Sequence, residues 1–107
     1  MEIKYKRYYN QQKNREEFEL VNFPYIDGND YISNEFCRQF DMKPEEKLDG
    51  IWITKHVLHG EDADYAFMWH EDVGNYVYSM HQSREDNDTL ERRLKTVLDI
   101  VGPTVTE

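Results

Sequence analysis

Apolar positions near the C-terminus follow a helical period. Leu90, Leu94, Val97, Leu98 and Val101 recur at i, i+4, i+7, i+8 and i+11 and form one stripe. The spacing predicts a helix over 88–101, with Asp88 as N-cap, Glu91 three residues on as in a capping box, and Gly102-Pro103 as the stop. A second helix is predicted over 30–41. There Ile32, Phe36 and Phe40 share a face, Asn29 or Asp30 can cap, and Lys43-Pro44 breaks the pattern.

Between these helices the period falls from 3.6 to 2, the signature of strands. In GIWITKHVL, Ile51, Ile53 and Val57 alternate with Trp52, Thr54 and His56. In DYAFMWH, Tyr65, Phe67 and Trp69 alternate with Ala66, Met68 and His70, and in NYVYSMH, Tyr76, Tyr78 and Met80 share a side. The connectors HGED and EDVGN are turn-like, so the three segments read as an antiparallel meander. Two more strands, IKYKRYY and EFELVNF, flank the polar segment NQQKNREE, and the stretch from Phe23 to Asn29 reads as a loop into the first helix. The expected order is β-β-α-β-β-β-α. This is an α+β fold with an antiparallel sheet of about five strands and two helices packed on it.

Length and composition narrow the picture. At 107 residues the chain is expected to be a single domain (1–107), with 103–107 fraying as a tail. Hydrophobic residues make up 38% and aromatics 14%, enough buriable surface to exclude a disordered chain. No long apolar run is present and MEIKYKRYYN is polar within three residues. The expectation is therefore no membrane span, no signal peptide and a cytoplasmic location. The single Cys37 suits a reducing compartment, and beside Phe36 and Phe40 it reads as a packing residue.

The net charge of -9 is unevenly placed. Residues 1–15 carry +4, residues 16–50 carry -7, and residues 59–88 another -7, while the last nineteen balance. So acidic a chain repels a phosphate backbone, which argues against nucleic-acid binding by the tyrosine-rich strands. The basic YKRYY reads instead as a guarded edge strand. His56, His59, His70 and His81, with Asp62, Asp64, Glu71 and Asp72 nearby, are candidates for metal and acid/base chemistry. Strand residues three apart, such as His56 and His59, point to opposite faces, and no HExxH, paired CxxC, EF-hand, nucleophile-elbow or phosphate-loop motif is present. The reading is therefore noncatalytic, with no cofactor and no metal.

Three acidic segments, HGEDAD, HEDVGN and SREDND, frame the aromatic strands. This arrangement suits a strongly basic partner, with Glu61, Asp62, Asp64, Glu71, Asp72, Glu85 and Asp86 as electrostatic contacts and Tyr65, Trp69, Tyr76 and Tyr78 as anchors. In AFMWHEDVGNYVYSMHQSREDNDTLERRLKTVLDIV, a tryptophan-ended strand, an acidic turn, an aromatic strand and a closing amphipathic helix follow one another. With its length and acidity, the chain resembles in type the small immunity proteins of contact-dependent inhibition, related polymorphic-toxin and nuclease-bacteriocin systems. The resemblance implies a cytosolic protein that binds and neutralises a cognate toxin domain, often a basic nuclease, by occluding its active site or by mimicking phosphate with carboxylates. The expected chain is a monomer or weak dimer that binds neither nucleic acid nor membrane. The alternatives are a small metal-dependent enzyme using the histidine and carboxylate cluster, and a phage or accessory protein acting by self-assembly.

Overall fold

The computed structural model describes residues 3–23 and 26–105, with residues 26 and 103–105 described by backbone alone. The chain runs β1 (Lys4–Asn10), β2 (Arg15–Val21), α1 (Ile26–Phe40), β3 (Lys43–Asp49), β4 (Ile53–His59), β5 (Asp64–His70), β6 (Gly74–Ser79) and α2 (Arg84–Val105). The strands form one antiparallel sheet in the order β1-β2-β6-β5-β4-β3, so the fold is α+β with six strands and two helices. After the β1–β2 hairpin, α1 carries the chain to the far edge. A four-strand meander then returns β6 to pair with β2 through Phe18↔Val77 and Glu19↔Tyr76.

Strand alternation decides what each face holds. Phe18, Leu20, Tyr65, Phe67 and Val77 point to the side covered by both helices and join Ile32, Phe36, Leu90, Leu94, Val97, Leu98 and Val101 in the main core. Phe36 is its centre, fully buried, with its ring 4.9 Å from that of Phe67, 5.4 Å from Phe40 and 5.8 Å from Tyr65. The opposite sheet face carries a smaller cluster of Ala66, Met68 and Tyr78, flanked by Ile53 and Tyr76.

Both expected helices form, with the α2 stripe buried and Ile32 and Phe36 of α1 buried beside a half-buried Phe40, but their ends differ from the expectation. Ser83 caps α2 by accepting from the Asp86 N–H (3.0 Å), and its hydroxyl donates to Asp86 Oδ2 (2.9 Å). Asp88 therefore lies inside the helix and pairs with Arg7 instead of capping. At the other end the helix runs through Gly102-Pro103 to Val105, because proline's fixed φ is compatible with helix at the loss of one backbone hydrogen bond. The expected frayed tail is thus helical over 103–105, while 106–107 lie outside the described residues. Helix α1 starts at Ile26, within the segment read as a loop. It closes in a Schellman turn, where Asp41 adopts φ 51° and the Met42 N–H donates to the Cys37 carbonyl (3.3 Å).

The sixth strand, β3, is the one the sequence pattern does not announce. All seven residues of KPEEKLD are exposed, so no alternation marks it, and Pro44 is tolerated because the strand lies at the sheet edge. Replacing Phe36 by alanine removes the centre of the core. The expected cost is about 3–5 kcal/mol of unfolding free energy, read from urea denaturation; a loss below about 1 kcal/mol would contradict this assignment of the core.

Candidate functional site

The acidic segments lie at two ends of the sheet, because β4–β5 and β5–β6 are successive hairpins. Glu61 and Asp62 form the tip of the β4–β5 turn, closed by the Gly60 N–H donating to the Ala63 carbonyl (2.8 Å). The start of α2, with Glu85 and Asp86, falls at this same end, as Met80 N donates to the Asp64 carbonyl (2.8 Å). Glu71 and Asp72 lie at the other end, about 20 Å away by strand rise. That separation exceeds the screening length at physiological salt, so the two groups act independently.

Several of these acids are already engaged. Asp62 pairs with Arg93 (2.9 Å), whose guanidinium holds the carboxyl below its ordinary range. Asp86 is bound to Ser83, and Asp64 to His59. By contrast, the exposed carboxylates of Glu71 and Asp72 make no hydrogen bond or ion pair among the described residues, and neither do those of Glu61 and Glu85.

The four aromatic candidates divide by face. Tyr65 is wholly buried beneath the helices, and its hydroxyl accepts from Arg93 Nη1 (2.9 Å). It offers no surface to a partner, because the phase of β5 turns Tyr65 and Phe67 inward together. Trp69 is half-buried on the same side of β5. Tyr76 is half-buried and Tyr78 buried on the opposite face, where the Arg15 guanidinium lies 3.5 Å over the Tyr78 ring.

The most exposed large apolar side chains were not among the candidates. The Gly50 N–H donates to the Ile53 carbonyl (2.7 Å), which makes Ile51 and Trp52 the tip of the β3–β4 hairpin rather than part of a strand. Ile51 is 82% and Trp52 60% exposed. The Glu71 N–H donates to the Trp52 carbonyl (3.0 Å), joining this tip to the free acidic turn, with exposed Leu48 and Val73 in the same two hairpins. The available signal was Gly50 followed by two consecutive large apolar residues, a pattern suited to a tip and not to an alternating strand.

The histidines separate as alternation requires. His56 faces α1, with Nδ1 3.3 Å from the Ser33 hydroxyl and Nε2 3.6 Å from Asp30 Oδ1. They border a cleft of about 160 Å³ that Cys37 also lines. Burial pushes the His56 pKa down and the Cys37 thiol up, and both directions oppose the thiolate and imidazolium that an activated cysteine nucleophile needs. His59 points to the opposite face, and His70 accepts a backbone hydrogen bond from Asp72 N (3.1 Å).

Four charged residues of the β1–β2 hairpin, Arg7, Arg15, Glu16 and Glu17, are paired within the fold. Arg7 grips Glu16 with two nitrogens (2.9 and 3.0 Å) and reaches Asp88 (2.8 Å) and Glu91 (2.9 Å), tying the edge strand to α2. On the other face Glu17, 1% exposed, accepts from Tyr8 (2.6 Å), Arg15 (2.7 Å) and Asn10 (3.2 Å). Burial pushes its carboxyl up, but these three donors outweigh it and hold Glu17 below the usual carboxylate range. No family model matches the sequence, and no curated protein or solved structure shows significant similarity.

Glu16 is likewise held low by its hydrogen bonds from Arg7, and Glu91 by Tyr5 and then Arg7. The folded state thus binds fewer protons than the unfolded chain near the carboxylate range. The stabilisation is present above about pH 4.5 and is lost as pH falls through the lowered folded values. Urea midpoints are expected to fall steeply from about pH 5 to pH 3, and Glu17→Gln to flatten that slope; an unchanged slope in the variant would assign the acid sensitivity elsewhere.

Proposed function

We propose that this chain is a noncatalytic binding protein that docks on a basic protein domain through the Ile51-Trp52 tip and the adjoining Glu71-Asp72 turn. In the form that the resemblance to immunity proteins suggests, the partner is a cytosolic toxin domain that docking neutralises. The observation that carries the reading is an isoleucine and a tryptophan, side by side and mostly in solvent, next to two carboxylates with no partner among the described residues. The fold gains little from exposing these two side chains, whereas an interface gains a great deal. Burying a tryptophan at the centre of a contact typically makes a hot spot worth about 2 kcal/mol or more. Free carboxylates beside it favour a basic surface and speed encounter, with the -9 charge adding long-range attraction.

The anchor set therefore shifts toward Trp52 and Ile51, with Trp69 half-buried on the helix-covered face of the sheet and Tyr76 half-buried on the opposite one. The second acidic group, Glu61, Asp62, Asp64, Glu85 and Asp86, contributes to steering from the far end.

The test is capture from source-cell lysate at low and high salt, followed by kinetics on the purified partner. One basic protein is expected, retained but weakened at high salt. Trp52→Ala should weaken its binding about 30-fold, mainly through faster dissociation, and Glu71→Lys with Asp72→Lys should slow association. Full affinity in Trp52→Ala, or a partner without basic character, would remove this reading.

A further inference from the structure

We propose that Glu45, His59, Asp64 and His81 form a zinc-binding site at the end of the sheet opposite Trp52. His59 and Asp64 are directly paired residues closing the β4–β5 hairpin, and their side chains are hydrogen-bonded through His59 Nδ1 and Asp64 Oδ1. Glu45 falls where the β3–β4 register shifts between Pro44 and Glu46. It is the extra residue of a β-bulge, and its Oε2 lies 3.9 Å from His59 Nδ1. Bulges commonly re-aim a side chain in this way. His81 follows β6 and is held by its own N–H donating to Ser79 Oγ (3.3 Å), with Nε2 3.8 Å from Asp64 Oδ2.

The bulge of β3, the β4–β5 hairpin and the segment after β6 thus bring two imidazoles and two carboxylates to the same end of the sheet. Ligand atoms of Glu45, His59 and Asp64 lie within 4.8 Å of one another. Ligands about 2.0–2.2 Å from a tetrahedral zinc are about 3.3 Å apart, so closing these three on one ion requires side-chain movements of roughly an ångström, and the exposed His81, in reach of Asp64, completes the set by a larger swing. No lysine or arginine pairs with Glu45 or Asp64 among the described residues, which leaves the carboxylates to the histidines. Imidazole and carboxylate together in a four-donor set suit zinc better than calcium or magnesium, which prefer all-oxygen sites. The side chains of Glu45, His59 and His81 are 60%, 61% and 70% exposed, so the ion enters without opening the fold.

The site rests on none of the residues of the proposed docking tip, so its test is independent of any partner. The untagged metal-free chain is titrated with zinc against a chromogenic chelator, and Co²⁺ is substituted to read its electronic spectrum. One ion per chain is expected, with the intense visible bands of tetrahedral cobalt and a thermal midpoint that rises with added zinc. His59→Ala, Asp64→Asn and His81→Ala should each weaken binding at least about tenfold while keeping the metal-free midpoint. His70→Ala, at the other end of β5, should bind as the parent does. Absence of stoichiometric binding, or binding that survives His59→Ala and Asp64→Asn, would overturn the proposal.

Discussion

The burial of one sheet face beneath two helices is the constraint from which the remaining features follow. Phe36 sits where α1 meets β5, and its contacts with Phe40, Tyr65 and Phe67 fix the phase of the central strand. Once Tyr65 and Phe67 point inward, Ala66 and Met68 must point outward, and the hairpin partners on β4 and β6 follow in register. That phase sends His56 toward α1 and His59 away from it. It leaves the hairpin tips as the places where side chains escape the alternation altogether.

Polar interactions then do locally what apolar packing cannot. The edge strand β1 contributes Tyr5 to the margin of the core and is secured by Arg7, which bridges Glu16, Asp88 and Glu91. Glu17 meets a different problem, a carboxylate almost without solvent on the helix-free face. Three donors resolve it, and Arg15 balances its charge while stacking on Tyr78. Arg7 and Arg15 are thereby spent inside the fold and Arg93 on Asp62, while the hairpin-end carboxylates Glu61, Glu71 and Asp72 have no cationic partner among the described residues.

The sequence made the helices, the meander and the N-terminal hairpin legible because each buries a periodic face. Leu90 to Val101 and Ile32 to Phe40 could be read directly. It did not reveal β3, whose residues face solvent on both sides, nor the earlier start of α2, since Ser83 is one of several polar residues there able to cap. For the candidate site, the acidic turns and their opposite ends were legible from hairpin order. Which acids are neutralised was not, because Arg93 meets Asp62 across 31 residues and His59 meets Asp64 only in the folded hairpin. Periodicity likewise treated Ile51 and Trp52 as strand residues, when the hairpin hydrogen bond at Gly50 turns both outward.

Strand β3 has a further consequence. With every residue exposed, it contributes little apolar surface to the core and is held chiefly by its ladder to β4. Such a strand can detach while the rest of the sheet remains intact, making this edge the low-free-energy end of a ladder of partial openings. Its amides would then exchange with solvent through fluctuations far smaller than global unfolding. The fold therefore joins a centre whose opening would expose the shared core to a margin whose detachment would uncover little apolar surface.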